Sequence, residues 1–338
     1  MEKIVPQNTK KLTEYSKKDK KFDKRKYENQ ELEEIFYNAV QSEFERYGRF
    51  KNYPKRLIAC ALTLWFSQHA HLETGEAFYK LAFAEFCRIR HCPVCQSRLS
   101  MKWIAKFHQI MPKLEIEYPK TQFLLLTLTV PNCKVGDLRE TIQEMNTAWN
   151  RMANRAFFKK QILGYIRATE VTMNPKNKTA HPHFHVLLHV KNSYFAGSNY
   201  IKQDTWLQHW RDAMRDDSIT QVDIRKVRES KKKTKSENLV SGALEIVKYA
   251  TKHENIAQDA EWFMEYVLQV DRLRFMATGG TLKNLMADLD NDDLIHIDED
   301  GVTDAELSKD DGYRMAFDWD NKRHYRRAEK LDRVDKLD

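Results

Sequence analysis

Apolar positions along the middle of the chain fall into runs of two distinct periods. Phe123-Leu124-Leu125-Leu126-Thr127-Leu128-Thr129-Val130 reads as a buried strand. Leu138, Ile142, Met145, Trp149 and Met152 follow at spacings of four, three, four and three, one stripe of a helix. Residues 164–173 and 183–190 read as two further strands, joined by the turn chemistry of Asn174-Pro175-Lys176-Asn177-Lys178-Thr179. A helix over 202–215 places Trp206, Trp210 and Met214 on one face, as core. Gln221-Val222-Asp223-Ile224-Arg225 alternates as a short strand, and 240–253 reads as a last helix. The order is β-α-β-β-α-β, an α+β, ferredoxin-like antiparallel sheet followed by one more helix. In that topology the first and third strands are central, so residues 183–190 lie mid-sheet.

Chemistry concentrates on that third strand. Four of the twelve histidines fall between His181 and His189, and the block His181-Pro182-His183-Phe184-His185 opens the strand. Side chains alternate faces, so His183 and His185 share one and can chelate a single divalent ion. A hydrogen-bonded, half-buried strand is the plainer alternative. With the hairpin tip near Asn177 and Lys178, Glu170 falls opposite His185 and adds a carboxylate; a slip of one residue would turn it away. Two imidazoles and a carboxylate suit Mn²⁺ or Mg²⁺ acting as a Lewis acid.

Three of the five cysteines cluster in Cys87-Arg88-Ile89-Arg90-His91-Cys92-Pro93-Val94-Cys95. The Cys92-x-x-Cys95 knuckle with Cys87 has zinc-ligand spacing. A structural Zn²⁺ site needs a fourth ligand, Cys60 as first choice and His91 as second. A redox pair is the rival, but the surrounding arginines and lysines fit a zinc element facing nucleic acid better.

Charge changes the picture of the flanks. The 338 residues hold 57 Lys plus Arg against 49 Asp plus Glu, a net charge of +8, which favours a polyanionic partner. No long apolar run predicts a membrane span, and Met1-Glu2-Lys3-Ile4-Val5-Pro6-Gln7 has no apolar core of a secretory signal. Residues 1–50 form a basic N-terminal arm, 51–115 a Cys-rich zinc-binding element, 116–260 the catalytic domain, and 261–338 a helical segment with an acidic tail. Arg225, Arg228, Lys231, Lys232 and Lys233 make a second basic cluster placed to meet a DNA backbone. Trp103, Tyr194 and Tyr200 could stack on bases or pack in the core.

The last helix carries Glu245, Tyr249 and Lys252. Glu245 and Tyr249 are four apart and stack on one face, with Lys252 near it. A Tyr on an amphipathic helix is ordinarily a packing residue; beside a metal its phenol can act as a nucleophile.

Taken together, four blocks resemble the rolling-circle replication initiator (Rep) proteins of small plasmids, within the HUH endonuclease superfamily. They are Phe86 to Arg98 with Lys102-Trp103; Leu126-Thr127-Leu128-Thr129 with Asn132-Cys133; His181-Pro182-His183-Phe184-His185; and Glu245-Ile246-Val247-Lys248-Tyr249 with Lys252. They run in order over about residues 60–255, and the Glu-x-x-Lys-Tyr motif marks the single-tyrosine subgroup. The resemblance implies a cytoplasmic nickase of a prokaryotic cell that cuts one strand of plasmid origin DNA, single-stranded or extruded as a hairpin. Tyr249 would keep the 5′ phosphate and free a 3′-OH, with host helicase and polymerase as partners. It implies His183, His185 and Glu170 as metal ligands, and Glu245 as the group that activates water at termination. A mobilisation relaxase or single-strand transposase shares this chemistry. A metal-dependent hydrolase without a covalent step, or a non-catalytic zinc DNA-binding protein, are the alternatives outside it.

Overall fold

The computed structural model describes residues 20–70, 72–75, 77–227, 259–287, 289, 314–320 and 324–327. Helices α1 (Lys20–Ser42), α2 (Phe44–Tyr47) and α3 (Tyr53–Ala59) precede strands β1 (Thr63–Ala70) and β2 (Ala77–Phe83). Helix α4 (Pro93–Glu117) leads into β3 (Thr121–Thr129), α5 (Leu138–Ala153), α6 (Ala156–Gln161), β4 (Ile162–Met173) and β5 (Ala180–Lys191). Then come α7 (Gln203–Met214), β6 (Val222–Lys226), α8 (Ala260–Val270), β7 (Met276–Gly279), α9 (Gly280–Ala287), β8 (Arg314–Asp320) and β9 (His324–Arg327). Among the described residues no helix is long and apolar enough to cross a membrane. Contacts divide the chain into two compact units, Met1–Leu99 with His296–Asp338, and Ser100–Ile295.

The second unit is built on a five-stranded antiparallel sheet in the order β6-β3-β5-β4-β7. Both faces of its centre are covered. One side packs the α5 stripe, with Met145, Trp149 and Met152 at 1% exposure or less, and Trp206 and Trp210 of α7 against Leu126, Phe184, Val186 and Leu188. The other packs Phe107, Ile110 and Met111 of α4 and Leu282 and Leu285 of α9 against Phe123, Ile166 and Leu187. That double burial explains why β3 reads as a nearly unbroken apolar run. Tyr194 is core: it is 1% exposed and its hydroxyl accepts from Trp206 Nε1 at 3.1 Å. Trp103 is partly buried against the α4 cluster, while Tyr200 is 51% exposed. Beneath Phe184, the guanidinium of Arg167 stacks at 4.0 Å and hydrogen-bonds Asn146; burial lowers its pKa to about 10.

Strands β4 and β5 form the hairpin that sets the register of the histidines. Asn174 Oδ1 accepts from the backbone of Lys176 at 3.0 Å, and Asn177 Oδ1 accepts from the backbone and hydroxyl of Thr179. Lys178 adopts φ +54°, and Met173 pairs with Ala180. The register therefore places Glu170 opposite His183, two residues from the expected pairing with His185. The turn centres between Lys176 and Asn177 rather than between Asn177 and Lys178. Because the displacement is even, Glu170 keeps the histidine face.

The first unit holds a four-stranded antiparallel sheet, β2-β1-β8-β9, and the α1–α3 helices. Inside the segment expected as a basic arm, α1 buries Leu32, Phe36 and Val40, a spacing of four that its many charges obscure. At the other end, residues 314–320 and 324–327 are strands in a region expected to be helix and tail; β8 pairs with β1, as in Thr63 opposite Asp318. The helix expected over 240–253 and the acidic stretch beyond Asp290 lie outside the described residues.

Candidate functional site

Odd-numbered residues of β5 point to the α4/α9 side of the sheet, and beyond the apolar cluster that face turns polar. Glu170 from β4 and His183 and His185 from β5 converge there. Glu170 Oε2 lies 2.6 Å from His183 Nε2 and 2.7 Å from His185 Nε2. The two rings stand 4.7 Å apart at 79°, so both nitrogens address one point. Glu170 is 5% exposed and His183 8%. Burial alone would raise the Glu170 carboxyl, but hydrogen bonds and charge from His183 and His185 overcome it and hold the group at about 2.

Ring orientation adds a chemical requirement. His183 Nδ1 is 3.2 Å from the carbonyl oxygen of His181, an acceptor only. A neutral imidazole assigned to satisfy that bond keeps its proton on Nδ1 and turns the Nε2 lone pair toward the carboxylate. A lone pair and a carboxylate oxygen at 2.6 Å repel each other unless a proton or a metal ion is shared between them. Nδ1 of His185 lies 3.3 Å from Thr127 Oγ1 on β3, which fixes the second ring. This donor set fits an ion that takes nitrogen and oxygen ligands. His181, on the same face, is half-buried; burial and then the charge of His183 lower its pKa. His189 belongs to the core instead, stacked on Phe123 at 4.8 Å with Nδ1 2.8 Å from Thr281 Oγ1.

In the other unit, Cys60, Cys87, Cys92 and Cys95 bring their sulfurs within 4.8 Å of one another. Cys60 Sγ is 3.6 Å from Cys92 Sγ and 3.7 Å from Cys95 Sγ, and Cys87 Sγ is 3.5 Å from Cys95 Sγ. Four sulfurs about 2.3 Å from a tetrahedral zinc stand roughly 3.8 Å apart, so the spacing fits. No pair is bonded as a disulfide. The backbone N–H of Arg88, at φ +54°, donates to Cys95 Sγ at 3.2 Å. Hydrogen bonding among the four sulfurs, first of all with Cys60, drives the thiols apart, Cys87 and Cys92 upward and Cys95 downward. His91 is buried but lies outside the group, so Cys60 takes the fourth position.

The structure thus brings together two of the expected constellations. Arg225 is exposed on β6 with Nε 3.9 Å from Asp223 Oδ2; its partner Leu125 pairs in turn with Leu187, which puts it on the histidine face. Arg228, Lys231, Lys232, Lys233, Glu245, Tyr249 and Lys252 lie outside the described residues. The sequence signal for Thr127 is its alternation with the apolar residues of β3. Lys26 carries no such signal; it stands among the many charged residues of the N-terminal segment.

Comparison with known proteins adds an independent line. A family model described as a replication protein matches residues 78–326. A "Protein rep" of Streptococcus pneumoniae is 32% identical over 284 residues, covering 82% of this chain and 84% of that protein. One from Bacillus amyloliquefaciens is 35% identical over 274 residues, 73% of this chain and 77% of its own length. A replication protein of Staphylococcus aureus is 30% identical over 239 residues, 67% of this chain and 99% of its own. No solved structure matches the chain.

Proposed function

The chain belongs to the replication protein family, and from that premise we propose that it initiates rolling-circle replication of a plasmid by nicking one strand of origin DNA. The observation that carries the nicking chemistry is the convergence of Glu170 Oε2 on both Nε2 atoms at 2.6 and 2.7 Å. Glu170, His183 and His185 would hold Mn²⁺ or Mg²⁺, which supplies Lewis-acid polarisation of the scissile phosphate. The β3-α5-β4-β5-α7-β6 order supports reading the sheet as the ferredoxin-like core of the HUH superfamily, with β7 added at one edge.

Tyr249 is the nucleophile. Its phenol oxygen bonds to phosphorus as the bond to the 3′ oxygen breaks; the protein keeps the 5′ phosphate and the other strand end leaves as a 3′-OH. The phenolic proton must be lost, since a free Tyr titrates near 10, and Lys252, three residues on, favours the phenolate. The phosphotyrosine conserves the energy of the phosphodiester, so the cycle needs no nucleotide hydrolysis. Glu245, four residues before Tyr249, activates water at termination. Arg225, Arg228, Lys231, Lys232 and Lys233 neutralise backbone phosphates. The sulfurs of Cys60, Cys87, Cys92 and Cys95 would hold a structural Zn²⁺. Host helicase and polymerase extend the 3′-OH.

Oligonucleotides of the cognate origin, labelled at either end and incubated with Mn²⁺, test this. A 3′ label should become protein-bound, and a 5′ label should leave on a shorter strand that a polymerase extends. Cleavage without protein labelling would point to a hydrolase with no covalent step, and binding without cleavage to a non-catalytic protein. A relaxase or transposase would cut transfer-origin or transposon ends in place of the replication origin.

A further inference from the structure

Lys26 of α1 is 1% exposed. Its ammonium group donates to the carbonyl oxygens of Cys60 at 2.6 Å and Ile58 at 2.7 Å, with that of Leu57 at 3.5 Å. These are the last carbonyls of α3, the end a helix leaves unsatisfied and partially negative. Asn29, one turn along and fully buried, donates to Leu57 O at 2.7 Å. Lys26 and Asn29 together therefore clamp the segment that delivers the Cys60 sulfur to its three partners.

Carbonyl dipoles alone compensate a fully buried ammonium poorly; a buried charge calls for an opposite one. Burial pushes the Lys26 ammonium's pKa down, and among the described residues the groups whose charge opposes that are Cys60, Cys92 and Cys87. Four neutral thiols supply no such charge. Four thiolates around a divalent ion leave two net negative charges, in the same unit and one residue's reach away.

Resting on the reading of the four cysteines as a zinc site, we propose that Lys26 is the internal counter-cation of the metal-loaded Cys60–Cys87–Cys92–Cys95 cluster, so that metal binding and docking of α1 stabilise each other. Linkage makes the coupling reciprocal. Lys26 is a positioning residue here: it touches the backbone of Cys60 and acts on the ion through charge.

The test uses the full-length protein, Lys26→Gln, which retains a donor for the carbonyls and loses the charge, and Lys26→Met. Zinc affinity is read by competition with a chromophoric chelator, and the order of α1 by hydrogen exchange of peptides covering 20–42 with and without zinc. The wild type should bind one zinc. Both variants should bind it about tenfold more weakly or worse, the scale of second-sphere losses at metal sites. Removing zinc from the wild type should speed exchange in α1. Unchanged zinc affinity in Lys26→Gln overturns the proposal and leaves a hydrogen-bonding clamp. Should the variants fail to fold, wild-type exchange in α1 that ignores zinc overturns it equally. A wild type that binds no zinc removes the underlying reading, an outcome distinct from both.

Discussion

Replacing Glu170 by Gln changes one charge and almost no volume at the convergence point. Gln keeps an oxygen that can face His183 and His185 but cannot be an anion. Holding the Glu170 carboxyl at about 2 rather than its ordinary 4.5 corresponds to about 3 kcal/mol of preference for the anion in this pocket. A divalent ion presents more positive charge than the imidazoles that produce that preference. Loss of the carboxylate should therefore weaken Mn²⁺ binding by about 3 kcal/mol, on the order of 100-fold. Titration followed by the electron paramagnetic resonance of free Mn²⁺ measures this directly, with circular dichroism as the control for folding. Nicking of the labelled origin strand should fall in parallel at sub-saturating Mn²⁺ and recover partly at high concentration. A folded Gln variant that binds Mn²⁺ within threefold of the wild type would refute the assignment of Glu170 as a ligand.

Tyr249→Phe should abolish the covalent adduct on denaturing gels while origin affinity, measured by anisotropy, stays unchanged; a surviving adduct assigns the nucleophile elsewhere. Glu245→Ala should nick at the normal rate and accumulate unresolved products in a replication assay, and normal termination would remove it from the mechanism. The folded pKa of Glu170 lies below its unfolded value, so its contribution to stability is complete above about pH 4.5 and is lost as pH falls through about 2. Denaturant melts of the metal-free wild type and Glu170→Gln should accordingly show a gap that narrows as the pH falls from about 4.5 toward 2; a gap that widens over that range contradicts the sign. Gly280→Ala should lower stability by about 1–3 kcal/mol in thermal melts, because Gly280 sits at φ +58° and its new methyl would meet the carbonyl oxygen of Leu163.

Local periodicity made the second unit legible. The stripe Leu138, Ile142, Met145, Trp149, Met152 is helix α5, and all five residues are buried. Period-two alternation placed His183 and His185 on one face, and Glu170 arrived on that face despite its altered pairing partner, because alternation survives any even displacement. What escaped was non-local. Strand β1 pairs with β8 across some 250 residues, as in Thr63 Oγ1 donating to Asp318 at 2.6 Å, and nothing near either strand announces the other. Helix α1 hid its three core residues among charges, and Lys26 looked like one more solvated lysine. The choice between Cys60 and His91 was equally non-local, since Cys60 is 27 residues before the nearest member of its group and only the fold brings the sulfurs together.

The central claim is that a phenol from the 240–253 segment and an ion held by Glu170, His183 and His185 act on one phosphorus atom. Tandem mass spectrometry of peptides recovered after incubation with a single-stranded origin oligonucleotide asks this most directly. A nucleotide 5′ phosphate is expected on Tyr249, formed with Mn²⁺ and lost both in EDTA and in His183→Ala. An adduct on any other residue, or one on Tyr249 that forms equally well in EDTA, would contradict it.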